Sequence, residues 1–245
     1  MLPRAVKTYA FPVTEGSICD EMRAGSSDVW DGLHAHPFLR GLADGSLPLE
    51  AFRFFLEQDN LYLLEYARCL AMGAARSRDD TELRYFTVDL NQVLDSELPS
   101  NTDLLGRVIE MGAADRGGAL GMAPANVAYT SYLQALALRG GAMEIMAALL
   151  PCAWSYVEIA ERLAGEATST LEVYADWIGY FSLPTTVEMV VSMRRDFDTL
   201  AREAGLDAAK RRELGEIFAM SSRLERGFWE MAYSLEQWPD LRIRT

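Results

Sequence analysis

The chain has 245 residues, half of them apolar, and it carries a formal net charge of −13 with an isoelectric point of about 4.6. This acidity argues against partners that need a basic surface, namely nucleic acids and anionic membranes. The length suits one large domain or two small ones, with enough apolar residues for a sizeable core.

Cysteine and histidine usage excludes several kinds of site. The three cysteines, Cys19, Cys69 and Cys152, are widely spaced and form no C-x-x-C pair, so neither a zinc site nor a redox pair is indicated. The two histidines, His34 and His36, are too few for a di-iron carboxylate bundle, and neither is placed to complete a serine-histidine-aspartate triad. We therefore expect no metal site.

The sequence also predicts the cellular location of the protein. The N-terminus has no apolar run that ends in a small-residue cleavage site, so no signal peptide is indicated. No segment approaches the roughly 20 apolar residues that span a bilayer. The odd, widely spaced cysteines favour a reducing compartment. We expect a soluble, cytoplasmic protein with no membrane partner.

Residues 1–25 are predicted to be an irregular N-terminal leader, because glycine, proline, threonine and serine interrupt them without any period. Residues 26–245 are predicted to be a single helical domain. Apolar residues recur there at spacings of three and four, between serine, aspartate, glycine and proline signals of helix ends. The predicted helices cover about residues 26–36, 48–76, 79–97, 101–114, 125–139, 142–164, 169–179, 185–204 and 207–237.

Two prolines influence the predicted helix boundaries. Pro99 is expected to break the helix that begins near residue 79, and Pro151 is expected to kink or restart the helix that begins near residue 142. Cys152 directly follows Pro151, and a thiol near a helix start tends towards the nucleophilic thiolate. The alternative is that Cys152 is a small buried apolar residue, as most unpaired cysteines are.

Two acids interrupt apolar helical faces. Asp59 lies three residues before Tyr62, and Glu225 lies three residues before Phe228. A buried acid is costly unless it is paired or hydrogen-bonded, so either acid on a core face would indicate a functional role. The alternatives are that Asp59 points sideways to solvent and that Glu225 buries the aliphatic part of its side chain while its carboxyl group stays in contact with solvent.

Because no sustained period-two alternation occurs, the predicted fold is an all-α bundle with an internal pocket. If its helices face one another, their polar side chains supply a thiolate, two carboxyl groups and aromatic walls, which suits a small, flat, nitrogen-rich ring. The thiolate would add to an electron-poor ring carbon, and a glutamic acid would protonate a leaving amine. The polar residues on these apolar faces are Asp59, Tyr62, Tyr129, Cys152, Tyr156 and Glu225.

Short motifs occur in a fixed order over nearly the whole chain. They are His36-Pro37-Phe38, Leu42-x-Asp44-Gly45-x-Leu47-Pro48, Gln58-Asp59-x-x-Tyr62-Leu63, Ala128-Tyr129-Thr130-Ser131-Tyr132, Leu149-Leu150-Pro151-Cys152-x-Trp154-x-Tyr156-x-Glu158, Trp177-Ile178 and Ser221-Ser222-x-x-Glu225-x-x-Phe228-Trp229. Each motif is weak alone, but the ordered set resembles the signature of the TenA (thiaminase II) family. It places the chain in the branch that contains a cysteine.

The resemblance implies a heme-oxygenase-like multi-helix bundle with an internal pocket, no heme and no other cofactor, assembled as a homo-oligomer, usually a tetramer. It implies the hydrolysis of 4-amino-5-aminomethyl-2-methylpyrimidine to its 5-hydroxymethyl counterpart in thiamine salvage, and the cleavage of thiamin. By position in the motifs, Cys152 corresponds to the nucleophile, Glu225 to the proton donor and Asp59 to the carboxylate that holds the aminopyrimidine. The implied substrate-binding residues also include Tyr62, Tyr129, Tyr156, Phe181 and Phe228.

Phe181 is a departure from the family pattern, which commonly has tyrosine four residues after the tryptophan that is Trp177 here. Phe181 keeps the ring and loses the hydroxyl. Either the neighbouring Tyr180 supplies the hydroxyl through a local shift, or a polar contact near the leaving group is missing.

Three other functions remain compatible with parts of the sequence. A non-catalytic pyrimidine-binding or regulatory protein would keep the pocket without the chemistry. A related hydrolase would act on a different aminopyrimidine. A redox or metal-dependent relative on the same scaffold would need ligands that two neighbouring histidines do not supply.

Overall fold

The computed structural model describes residue 11, residues 14–118 and residues 121–239, and the regular structure in these ranges is helical. A π-helical turn (the π-turn), Val93–Glu97, joins α5 to α6. The all-α prediction is therefore confirmed for the described residues. The α-helices are α1 (Ile18–Ala24), α2 (Ser27–His34), α3 (Pro37–Asp44), α4 (Leu49–Ala75), α5 (Asp80–Gln92), α6 (Leu98–Glu110), α7 (Pro124–Arg139), α8 (Ala142–Glu166), α9 (Glu172–Phe181), α10 (Pro184–Glu203) and α11 (Ala208–Ser234).

Helix α8 is the central helix of the bundle. It packs against α4, α7, α9, α10 and α11, and most of its side chains are buried. A helix that is apolar on nearly all sides is stable in water only when other helices surround it. By length and composition α8 is also the one helix in the described ranges that could cross a membrane, but 78% of its most apolar window is buried inside the bundle.

Of the two alternatives at Pro151, a kink or a restart of the helix, the restart is wrong. Helix α8 runs without interruption from Ala142 to Glu166, with Pro151 inside it. The proline lacks an N–H and leaves one carbonyl of the preceding turn without its usual donor. Burial of the surrounding apolar side chains offsets that cost. Cys152 therefore lies in a helix interior, where the predicted influence of a helix start does not operate.

The predicted helix break at Pro99 is also wrong. Helix α5 continues through the π-turn into α6, and Pro99 lies in the first turn of α6. Hydrogen bonds in a π-turn span five residues instead of four, so the helix is wider just before the proline, which cannot donate. The wider turn shifts the register of the side chains that follow, including Glu97.

The predicted leader is not irregular throughout. Residues 18–24 form α1, whose N-terminus is capped by Ser17, because the Ser17 hydroxyl accepts a hydrogen bond from the Asp20 N–H at 3.0 Å. Asp198 of α10 accepts hydrogen bonds from the Ser17 hydroxyl at 2.8 Å and from the Cys19 N–H at 3.1 Å. A helix this short shows no clear period, and its long-range partner is not visible in the sequence. Residues 1–10, 12 and 13 lie outside the described residues.

Gly73 lets α5, which carries one wall of the site described below, pack closely on α4. A Cβ atom at this position would overlap the ring of Phe86, which is fully buried and has no room to move. We expect Gly73→Ala to lower the free energy of unfolding by about 1–3 kcal/mol, as measured by urea denaturation.

Gly215→Ala in α11 is the matched control. No atom lies within 4 Å of a Cβ there, so alanine is expected to leave stability unchanged or raise it by up to ~1 kcal/mol. Equal destabilisation by the two substitutions would show that the contact with Phe86 is not what Gly73 provides.

Candidate active site

A narrow, partly enclosed cavity lies where α4, α5, the π-turn, α8, α9 and α10 meet. It is the internal pocket that the helical pattern predicted. Three of the predicted site residues, Cys152, Tyr156 and Phe181, line it directly. The complete lining is Leu63, Tyr66, Asp89, Glu97, Cys152, Ala153, Tyr156, Phe181, Thr186 and Met189.

Three more predicted residues form an aromatic group beside Cys152. The ring centroid of Tyr62 lies 5.0 Å from that of Tyr129 and 5.5 Å from that of Phe228. The hydroxyls of Tyr62 and Tyr129 interact electrostatically with the Cys152 sulfur, so this group adjoins the thiol. The Tyr62 hydroxyl is buried and makes no hydrogen bond of good geometry in the described part of the chain, but it lies close enough to the Cys152 sulfur and the Tyr129 hydroxyl to interact with both.

Tyr180 does not supply the hydroxyl that Phe181 lacks. The Tyr180 hydroxyl donates to Oγ of Ser96 at 3.2 Å and accepts a hydrogen bond from Nε2 of Gln92 at 3.1 Å. The Phe181 ring lies at the cavity, 4.9 Å from the ring of Tyr156. The suggested local shift of Tyr180 into the pocket is therefore wrong, and the hydroxyl is absent from this wall.

Asp59 is buried in the core, with 2% of its surface exposed, so the alternative of a solvent-facing side chain is wrong. The Asn101 side-chain amide donates a hydrogen bond to Oδ2 of Asp59 at 2.5 Å. Burial raises the pKa of the Asp59 carboxyl to about 7, and the hydrogen bond from Asn101 opposes this shift. Near neutral pH this carboxyl group can therefore both accept and donate hydrogen bonds.

Glu225 is also buried, with 1% of its surface exposed, so the alternative of a solvent-exposed carboxyl group is wrong. Burial raises the pKa of the Glu225 carboxyl to about 8, and the negative charge of Asp59 acts in the same direction. The hydroxyls of Tyr129 and Tyr156 oppose the shift by favouring the carboxylate. A carboxyl group that keeps its proton at neutral pH is suited to act as a general acid.

The Cys152 thiol is protonated at rest, which corrects the predicted tendency towards thiolate. Burial raises its pKa well above the usual range, and the charges of Glu225 and Glu97 raise it further. The Tyr62 hydroxyl is the one group that lowers it by interacting directly with the sulfur. The thiolate therefore forms here only when another group takes its proton.

Four carboxyl groups, those of Asp59, Asp89, Glu97 and Glu225, gather around the Cys152 thiol. The charges of Asp59, Glu97 and Glu225 all act on the sulfur, and the charge of Asp89 acts on Glu97. The structure thus brings together the thiol and two acids that the sequence placed on separate helices. Within the described ranges, no three histidine, cysteine, aspartate or glutamate side chains are grouped to hold a metal ion.

Sequence reasoning missed Asn101, Asp89 and Glu97. Asp89 carried a signal that could have found it, because it follows Tyr85 and Phe86 at helical spacing, as Asp59 follows other aromatic residues. Glu97 carried no such signal, because the π-turn changes the register and a period of 3.6 residues cannot place it. Asn101 is recognisable only through its contact with Asp59.

Asp89 gives the fold a measurable pH dependence. Burial raises the pKa of its carboxyl from 3.8 to about 7, although the Tyr66 hydroxyl donates a hydrogen bond to it at 3.0 Å. Between these two values the folded chain holds a proton that the unfolded chain has released. The contribution of Asp89 to stability therefore falls as the pH rises through this window.

We expect Asp89→Asn to be more stable than the unmodified chain at pH 8 by about 1–3 kcal/mol, and by a smaller margin at pH 5, as measured by urea denaturation. Burial lowers the pKa of His34 to about 4, so the contribution of His34 to stability rises with pH below pH 6.5. Both chains contain His34, so this contribution cancels in the difference between them. Asp95→Asn, at an exposed position of the π-turn, is the control. A margin that does not change with pH would refute the assignment.

Comparisons with known proteins identify the family of the chain. The sequence profile of the TENA/THI-4/PQQC family matches residues 24–235. A protein of Halalkalibacterium halodurans named aminopyrimidine aminohydrolase is 35% identical over 86% of this chain and 92% of its own length. A Bacillus subtilis protein of the same name is 31% identical over 92% of this chain and 93% of its own length.

Solved structures give the same result. A TenA family transcription regulator from Silicibacter sp. TM1040 superposes with a TM-score of 0.79 at 28% identity, covering 89% of this chain and 97% of that one. A TenA homologue from P. horikoshii superposes with a TM-score of 0.78 at 28% identity, covering 89% and 99%. The resemblance indicated by the ordered motifs is therefore confirmed, and the chain belongs to the TENA/THI-4/PQQC family.

Proposed function

We infer that the chain is a hydrolase of the aminopyrimidine aminohydrolase type that acts in thiamine salvage, as the names of its bacterial relatives indicate. More specifically, it would convert 4-amino-5-aminomethyl-2-methylpyrimidine to the 5-hydroxymethyl compound and cleave thiamin. The observation that carries this proposal is that Cys152 lines a cavity with aromatic walls, while the charges of the buried acids Asp59 and Glu225 act on its sulfur.

In the proposed complex, Asp59 holds the aminopyrimidine edge of the substrate. Its carboxyl group, fixed by Asn101, would accept a hydrogen bond from the exocyclic amino group and share a proton with the adjacent ring nitrogen. Aromatic faces would enclose the flat ring. The Tyr62 hydroxyl offers one further hydrogen bond. The proposed aromatic contacts are Tyr62, Tyr129, Tyr156, Phe181 and Phe228.

The proposed reaction uses Cys152 as a covalent catalyst. The thiol loses its proton to a neighbouring carboxylate, and the sulfur forms a bond to an electron-poor ring carbon. Electrons then move towards the exocyclic carbon, whose C–N bond breaks with the bonding pair leaving on nitrogen, and Glu225 gives its proton to that nitrogen once the pair is free. Water adds to the exposed methylene carbon and returns a proton to Glu225, the S–C bond breaks, and the sulfur recovers its proton from the carboxylic acid that took it. The covalent intermediate replaces one difficult step with two easier ones.

The cellular location and the oligomeric state of the protein are part of the proposal. We propose a cytoplasmic enzyme that forms a homotetramer, needs no cofactor and has the small aminopyrimidine as its ligand, with neither nucleic acid nor membrane as partner. The net charge of −13 supports the exclusion of nucleic acid, because a nucleic-acid partner would require a basic surface.

The main alternative is a pocket that binds a pyrimidine without turning it over. The observation that favours it is the resting state of Cys152, whose thiol pKa is raised far above neutrality. A hydrolase of a related aminopyrimidine would use the same residues, and it would differ only in the substituents that the cavity accepts.

We expect Cys152→Ala to slow ammonia release from the aminomethylpyrimidine by about a thousandfold or more, because the covalent intermediate can no longer form. Ammonia is measured by a coupled assay at saturating substrate. Cys69→Ala is the matched control, since Cys69 is buried in α4 and does not line the cavity. Near-normal turnover by Cys152→Ala would eliminate the covalent mechanism.

Glu225→Gln tests the proton donor separately from binding. The amide keeps the size of the side chain but cannot deliver a proton, so we expect turnover to fall by about a hundredfold or more while the Kd of the hydroxymethylpyrimidine changes less than about threefold. Glu216→Gln, an exposed acid on the same helix, is the control. A parallel loss of binding and turnover would instead assign Glu225 to ligand binding.

A further inference from the structure

The cavity beside Cys152 has an acidic wall. Asp89 and Glu97 are among its ten lining residues, and none of the ten is basic. The charges of Asp59 and Glu225 also act on Glu97. Four carboxyl groups without a lining cation make a cavity that is electrostatically complementary to a positively charged ligand.

Glu97 is the acid on this wall that the protein leaves available. The Tyr66 hydroxyl donates to Asp89 at 3.0 Å, and the Thr186 hydroxyl donates to the carbonyl oxygen of Tyr180 at 3.2 Å. Glu97 makes no hydrogen bond or ion pair with any described residue, and burial and neighbouring carboxyl charges alone perturb its carboxyl group. Its oxygens are thus free to accept hydrogen bonds from a ligand.

A second group near Cys152 also lacks a hydrogen-bond partner of good geometry. Tyr62 is 2% exposed, and its hydroxyl is buried without a hydrogen bond in the described ranges. That hydroxyl is close enough to the Cys152 sulfur to favour the thiolate. Its polar neighbours are the Cys152 sulfur and the Tyr129 hydroxyl, neither of which gives it a hydrogen bond of good geometry, so a ligand beside Cys152 could supply a better one.

The π-turn is what directs Glu97 to this wall. It inserts one extra residue per hydrogen-bonded turn between α5 and α6, and such turns are frequent at functional sites. Tyr180 fixes the turn from outside, because its hydroxyl donates to Oγ of Ser96, the residue before Glu97. The same contact keeps Tyr180 out of the cavity, beside Phe181. Glu97 therefore provides a polar group on a wall where Phe181 provides none.

The electrostatics of Glu97 agree with a missing cation. Burial raises the pKa of its carboxyl well above the usual range, and the charges of Asp59, Asp89 and Glu225 raise it further. An ammonium group placed among these carboxyl groups would lower their mutual repulsion. Each resulting hydrogen bond would be charge-assisted and stronger than a neutral one.

We propose that Glu97 determines specificity by accepting hydrogen bonds from a positively charged 5-substituent of the pyrimidine, so that the site selects an aminomethyl group over a hydroxymethyl group. This inference rests on the proposed function and adds to it the residue that recognises the leaving group. An alkylammonium is protonated at neutral pH, as a lysine side chain is. Recognition at this step makes and breaks no covalent bond.

The test compares two ligands that differ only in the charged group. Calorimetry on full-length Cys152→Ala measures the Kd of 4-amino-5-aminomethyl-2-methylpyrimidine and of its 5-hydroxymethyl counterpart. We expect the amine to bind about tenfold or more tightly than the alcohol, which is the size of one charge-assisted hydrogen bond. Adding Glu97→Gln should remove this preference while the Kd of the alcohol changes less than about threefold.

Two further variants keep the test decisive. Asp95→Asn alters an exposed acid of the same π-turn and should leave both Kd values unchanged. Glu97→Asp retains the charge and should keep part of the preference, which a merely structural role would not predict. If Glu97→Gln also weakens binding of the neutral alcohol by more than tenfold, Glu97 supports the fold and the proposal is overturned.

The outcomes separate this inference from the proposed function. If the alcohol binds and the amine shows no preference, the role of Glu97 is overturned and the proposed function survives. If the amine is preferred but the unmodified chain releases no ammonia, the proposed hydrolysis fails and the recognition by Glu97 stands. If neither pyrimidine binds, both are overturned.

Discussion

The unbalanced negative charge around Cys152 is the constraint on which the rest of the site depends. Asp59, Glu225, Asp89 and Glu97 are close enough to perturb one another or the thiol, and the cavity that they surround has no basic lining residue. Burying a charge without a counterion is costly, so the pKa of each carboxyl group is raised, to about 7 for Asp59 and Asp89 and to about 8 for Glu225, and the thiol keeps its proton. Near pH 7 the site therefore holds both protonated and ionised carboxyl groups, and it can both give and take protons.

The helical frame tolerates this arrangement partly because two of the four acids accept a hydrogen bond from a neighbouring side chain. Asn101 donates to Asp59, and Tyr66 donates to Asp89, each within 3.0 Å. Around them, aromatic rings of α4, α7, α8, α9 and α11 pack against one another, which stabilises the core independently of the charges. Helix α8 continues through Pro151 for the same reason, since the apolar surface that it buries outweighs one missing backbone hydrogen bond.

Helical periodicity was sufficient to predict the all-α fold and the long helices, but it left open whether Asp59 and Glu225 point into the core. It failed wherever the outcome depended on packing. Pro99 and Pro151 were read as local breaks, although tertiary contacts hold both helices together. The state of the Cys152 thiol depended on neighbours from three other elements, which one sequence cannot place. Glu97 was invisible because a single π-turn shifts its register.

The π-turn has an evolutionary consequence. Because it encloses one residue more than an α-turn does, losing a single codon within residues 93–97 would restore regular α-helix between α5 and α6. The helices on the two sides would nearly keep their facings, because the wider turn already accommodates the extra residue. If the lost codon is that of Glu97, the acid leaves the wall of the cavity while α5 and α6 stay in place. Descendants of this scaffold therefore have a route to neutral ligands through an in-frame deletion, and alignments that count only substitutions would overlook it.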